Sequence, residues 1–87
     1  MWSAMSDAAK AHYPDAELMG AMIVGLTDAR FFREKGAVAY GAGLMSSALS
    51  GADFSSRFHG NNERLDIESL RLTTDFFARV LDRFWAP

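Results

Sequence analysis

Eighty-seven residues suffice for one domain, and at this length folding hides only about 60–65% of the unfolded surface, so the core must be thin. Nine basic side chains against eleven acidic ones, with the arginines scattered, exclude the dense positive footprint of a nucleic-acid or anionic-membrane binder. The lack of cysteine excludes disulfides and thiolate metal sites, leaving histidine and carboxylate as the ligands for any transition metal.

The larger groups of the first segment fall at Trp2, Met5, Ala9 and His12/Tyr13, a helical stripe that Pro14 and Asp15 close. The segment MWSAMSDAAK lacks the basic-then-apolar order of a signal peptide, and no apolar run reaches the roughly 20 residues of a membrane span, so a soluble, cytoplasmic protein is expected. LMGAMIV, residues 18–24, is a continuous apolar run bounded by Pro14 and Gly25, which predicts a strand covered on both faces. Thr27 is placed to cap a short helix over residues 28–35, and Gly36 sits where a left-handed C-terminal residue belongs. AVAY at 37–40 then reads as a second buried strand, and strand, helix, strand predicts a parallel crossover unit.

From Gly41 to Gly60 the chain is a long irregular connection with room for one weak helical turn in SSALSGADFSS; connections of this length in small domains are usually functional or disordered. Asp66 is the expected N-cap of the last helix, whose Ile67, Leu70, Thr74, Phe77, Leu81 and Phe84 repeat at helical spacing and predict the core-facing side. Asp75 and Arg79 are an i, i+4 pair that marks a solvated face.

Two stretches carry candidate chemistry. In GLTDAR, residues 25–30, a strand ending in glycine and feeding a helix N-terminus would point free N–H groups at an anion, although Thr27 and Asp28 in such a place more often only cap the helix, and Arg30 is more often a surface charge. In RFHGNNER, residues 57–64, His59 is followed by Gly60, which removes bulk, and by Asn61, Asn62 and Glu63, which can bond the backbone and hold a turn. A ligating imidazole needs such orientation, but one histidine does not make a site, and no other spacing converges on it. His12 has no chemical companion in sequence and reads as a packing or surface residue.

Taken together, GLTDARFFREKGAVAYGAGLMSS and RFHGNNERLDIESLRLTT resemble the carboxyl-terminal end of the zinc exopeptidase family of aminoacylases, glutamate and dipeptide carboxypeptidases and succinyl-diaminopimelate desuccinylase. That family has a Gly-x-Thr-Asp-x-Arg-(Phe/Tyr) turn into a helix and a strand near Gly-(Val/Ile)-Pro-Ala-Tyr-Gly-Phe-Gly. It then has a loop ending in His-Gly-x-(Asp/Asn)-Glu-Arg and a helix beginning near Val-Glu-Ser-Leu. The likeness covers residues 10–84, with Leu26 in place of alanine or glycine, Val38 in place of a frequent proline and Asn62 in place of a common aspartate.

The resemblance implies that His59 is a metal ligand, that Thr27, Asp28, Arg30 and Gly41 bind substrate, and that Gly60, Asn62 and Glu63 brace the loop. It implies an α/β fold, a fragment of the zinc-exopeptidase sandwich in the order helix, strand, helix, strand, long loop, helix, as one unit over residues 1–87. The family's general base, its other ligands and its lid would lie upstream, so the chain is expected to be the C-terminal part of an amide-cleaving hydrolase. With two zinc ions in the whole enzyme, it would hold zinc weakly or not at all by itself and be inactive alone. The expected partners are the remainder of the catalytic domain, a peptide or N-acyl amino acid substrate, and further copies of the chain meeting through a sheet edge or the vacated face, with neither nucleic acid nor membrane. A stand-alone interaction module, or an unrelated helix-rich structural protein, stays open beside this reading.

Overall fold

The structure is a computed structural model that describes residues 1–85. Those residues form four helices, α1 (Trp2–Lys10), α2 (Ala29–Glu34), α3 (Gly51–Ser55) and α4 (Ile67–Trp85), and no strand. The expected α/β sandwich with parallel strands is thereby overturned. Residues 18–24 and 37–40 are irregular and have no ladder partner among the described residues. A strand exists through hydrogen bonds to a neighbour, and none is within reach here. The run read as covered on both faces lies open instead, with Met22 95% and Val24 103% exposed. Continuous hydrophobicity marks a segment that needs cover; it does not supply the cover.

What holds the chain together is the pair α1 and α4. The stripe expected on α1 holds in part: Met5 and Ala9 are buried, joined by Ala4 and Ala8, while Trp2 is 42% exposed. Three of the four buried residues are alanines, and their small side chains let the rings of α4 come close. The helix stops where the N–H groups of His12 and Tyr13 both turn back to the Ala9 carbonyl, at 3.1 and 2.9 Å, just before Pro14. Facing it, α4 starts as expected: the Asp66 carboxylate accepts the Ser69 N–H at 2.8 Å. The hydroxyl and N–H of Ser69 together hold the Asp66 carboxyl below its ordinary range.

The core-facing side of α4 is a correction. Ser69, Leu72, Phe76 and Val80 are buried, whereas Ile67, Leu70, Phe77, Leu81 and Phe84 of the foreseen stripe remain exposed. The helix carries two apolar stripes, and α1 covers the one that carries Phe76 and Val80. The helices run antiparallel, because Asp7 meets Arg83 at 3.2 Å while His12 Nε2 meets Asp75 at 2.6 Å. His12 therefore has a companion that sequence spacing did not show. The expected Asp75–Arg79 pair forms at 2.6 Å, and the Asp75 carboxylate is shared between Arg79 and His12.

A strap from the long connection crosses α4 beside this core. Thr73 Oγ1 accepts the Leu44 N–H at 3.0 Å and donates to the Leu44 carbonyl at 2.8 Å, while Ser69 Oγ accepts the Ser46 N–H at 2.8 Å. The Tyr13 hydroxyl donates to the Met45 carbonyl at 2.7 Å, pinning the same strap from α1's end. A Cβ placed on Gly43 would lie 3.4 Å from Thr73 Oγ1, an ordinary contact distance. Leu44 and Leu18 pack against the buried cluster. The weak turn foreseen in the connection is α3, capped by Ser50 Oγ, which accepts the Asp53 N–H at 3.0 Å.

Helix α2 stands apart from this core and buries none of its residues. Its end is as foreseen: Gly36 has φ 87°, its N–H reaches the Arg33 carbonyl at 2.9 Å, and the Ala37 N–H reaches the Phe32 carbonyl at 3.1 Å, the paired bonds of a Schellman ending. Its start is not, because Thr27 does not cap it; Asp28 holds the N-cap position in helical geometry and makes no side-chain cap bond. The molecule is open for its size. Its radius of gyration is 14.2 Å, against about 12 Å for a compact chain of this length. Its accessible surface is 7011 Å², against roughly 5,100 Å² for a compact monomer of this mass. No helix among the described residues is long and apolar enough to cross a membrane.

Candidate functional site

Between the core and the open arm lies a cleft of about 590 Å³. Met5 and Ala9 of α1, Phe76 of α4, Leu18 and Leu44 give it an apolar base, residues 19–23 and 25–27 form one side, and Tyr40 to Gly43 form the other. Trp2 meets Tyr40 edge to face at 5.9 Å and so ties the second side to α1. Arg33 fixes α2 to that side, donating from both Nε, at 3.0 Å, and a terminal nitrogen to the Ala39 carbonyl. Arg30 also lines the cleft, with its guanidinium carbon 4.6 Å from the centre of the Phe31 ring.

Three of the four residues expected to bind substrate meet here. Thr27, Arg30 and Gly41 line the cleft together, although Gly41 lies across α2 from the other two in sequence. Asp28 is not among the lining residues; its backbone starts α2. Gly41 belongs to the Tyr40–Gly43 wall that leads into the Thr73-bonded strap. Sequence reasoning passed over Arg33, Trp2 and Tyr40, which give the cleft its ends and its second cation.

His59 is elsewhere. It is exposed in the loop after α3, beside Phe58 at a ring separation of 6.4 Å, and is not among the residues that line the cleft. Its φ is 56° and that of Asn62 is 59°, so both stand in the left-handed region, which histidine and asparagine tolerate better than most residues. The loop is closed through Arg64, whose N–H donates to the Arg57 carbonyl at 3.3 Å and whose guanidinium donates to the Asn62 carbonyl at 3.0 Å. Of Gly60, Asn62 and Glu63, expected to brace the loop, only Asn62 enters these bonds, through its carbonyl. Among the described residues no group of three or more His, Asp or Glu side chains could hold a metal ion, and the residues around His59 do not fit zinc by themselves. A tetrahedral site needs ligands that these residues do not bring together.

The cleft combines an apolar base of Met5, Phe76 and Leu18 with two arginines, Arg30 and Arg33, in its lining. An arginine fork suits a carboxylate better than a lysine would, because two N–H donors match two oxygens. Against known proteins, no family model, curated protein or solved structure matches this chain.

Proposed function

We propose that the chain is the carboxyl-terminal piece of an amide-cleaving hydrolase acting on peptides or N-acyl amino acids, and that it contributes one side of the substrate pocket. The observation that carries this reading is the meeting of Thr27, Arg30 and Gly41 in one mostly apolar cleft, because the resemblance to the exopeptidase family implies a substrate-binding role for those residues. An N-acyl amino acid has an apolar acyl group and a carboxylate, which is the combination that the cleft's base and Arg30 accept. The left-handed backbone at His59 supports a special role for that residue, since such conformations recur where a side chain must be held at a set angle. As a metal ligand it needs partners from outside this chain, and zinc chemistry is not assigned to the residues described here. The second reading, a binding module without catalysis, is favoured by the cleft's being formed entirely within the chain.

The test is a titration of the chain with a long-chain N-acyl amino acid, followed by amide NMR shifts at Thr27, Arg30 and Gly41. Saturable shifts there that Arg30→Met abolishes, together with no hydrolysis by the chain alone, are expected. Shifts confined to His59 and its neighbours, or binding indifferent to Arg30→Met, would remove the basis for the pocket.

A further inference from the structure

The stripe that α1 leaves uncovered has a regular spacing. Ile67, Leu70, Thr74, Phe77, Leu81 and Phe84 follow one another by three, four, three, four and three residues, along about 26 Å of helix. A 3.5-residue repeat of this kind is the pattern of a seam between two helices, and an irregular segment or a sheet does not match it. The five apolar members are between 46% and 86% exposed. From those exposures they offer on the order of 600 Å² per chain, close to the 800 Å² per partner of a standard stable interface. The surplus of roughly 1,900 Å² over a compact monomer shows that this chain has surface to cover, and α4 carries its most ordered part.

The sequence also says which helix fits. When α4 is laid antiparallel on a copy of itself about a two-fold axis between Asp75 and Phe76, each seam position meets its complement. Ile67 meets Phe84, Leu70 meets Leu81, and Thr74 meets Phe77 of the second copy, so a small side chain accepts an aromatic ring at the centre. Arg71, at the rim and bridged to Glu68 at 2.7 Å, then comes beside Ala78 and Asp82 of the second copy, which places opposite charges across the join. We infer that the chain forms a two-fold dimer through the Ile67–Phe84 stripe of α4, with the two helices antiparallel. Each copy keeps its own α1 on a neighbouring face, roughly 120° around α4, so the assembly is an α4 pair with one α1 beside each member. This does not rest on the hydrolase reading, since it uses no residue of the cleft except through Phe76, which faces α1.

Sedimentation equilibrium of the full chain at micromolar concentration is expected to give a dimer. Phe77→Glu and Leu81→Lys, both at exposed positions, are expected to weaken it by about tenfold or more with the helical circular dichroism retained, as loss of a central interface anchor does. Met22→Glu, on the open arm, leaves it unchanged. Because the chain has no cysteine, mixing Thr74→Cys with Phe77→Cys chains and oxidising them reads the direction: disulfides between unlike chains are expected to dominate. A monomer mass throughout, a dimer that Met22→Glu dissolves while Leu81→Lys does not, or a dominance of like-with-like disulfides, which marks a parallel pair, would overturn the proposal.

Discussion

Two apolar regions of this chain meet different fates. On α4, Phe76 is 1% exposed, while in the segment between α1 and α2, Val24 is wholly exposed although it belongs to a run just as apolar. The difference is periodicity. An amphipathic helix gathers its apolar groups on one side, so a single neighbour, the alanine stripe of α1, can cover them. The run at 18–24 has no such segregation and needs cover on two sides, and among the described residues only its first member, Leu18, packs against the core. Helix and strap also satisfy their backbone groups internally or on Thr73 and Ser69, whereas the open arm leaves them to solvent.

The sharpest way to break the comparison is on two adjacent phenylalanines. Phe76→Ala is expected to cost about 3–5 kcal/mol, on the order of the whole stability of so small a domain, and to unfold the chain. Phe77→Ala, measured by urea denaturation at a dilution where the chain is monomeric, is expected to change stability by under about 0.5 kcal/mol. Equal effects would mean that the buried face of α4 is assigned wrongly. Next in size is Thr73→Val, which keeps the shape but leaves the Leu44 N–H and carbonyl without their partner. It is expected to lower the unfolding free energy by about 1–3 kcal/mol and to loosen the strap.

Much of this was readable from residues, and the failures have physical causes. Asp66 as the cap of α4, Gly36 as the left-handed end of α2 and the Met5–Ala9 part of the α1 stripe were legible because caps, glycine and short-range spacing act within a few residues. The faces of α4 were not, since that helix has two apolar stripes and its sequence does not say which one α1 will take. The strands were misread because a buried strand and an uncovered apolar run look alike until a neighbour is present. In the cleft, Thr27, Arg30 and Gly41 had been grouped, together with Asp28, only through the resemblance, and the His12–Asp75 contact spans 63 residues and no local pattern announces it.

A smaller effect is expected from acid. Arg79 and then His12 hold the Asp75 carboxyl below its ordinary 3.8, Ser69 does the same for Asp66, and Arg71 holds Glu68 below 4.5. A carboxyl depressed on folding contributes stability fully above its unfolded value and loses it as pH falls through the folded one. Stability should thus be flat near neutrality and decline below about pH 4, modestly because these pairs are solvated. Asp75→Asn should flatten part of that decline in an acid titration followed by circular dichroism. A decline that begins near pH 6 would show that other groups control it.

Residue-by-residue hydrogen exchange on the native chain tests most directly whether the α1–α4 pair is the structure and the segment at 18–27 hangs open from it. Amides of residues 70–84 and 5–10 are expected to share the highest protection, with those of Leu44 and Ser46 slowed through Thr73 and Ser69, and with Met19 to Thr27 exchanging near the rate of an unstructured peptide. Alternating protection along 18–24 and 37–40 that matches the protection of α4 would reveal a paired sheet and contradict the fold described here.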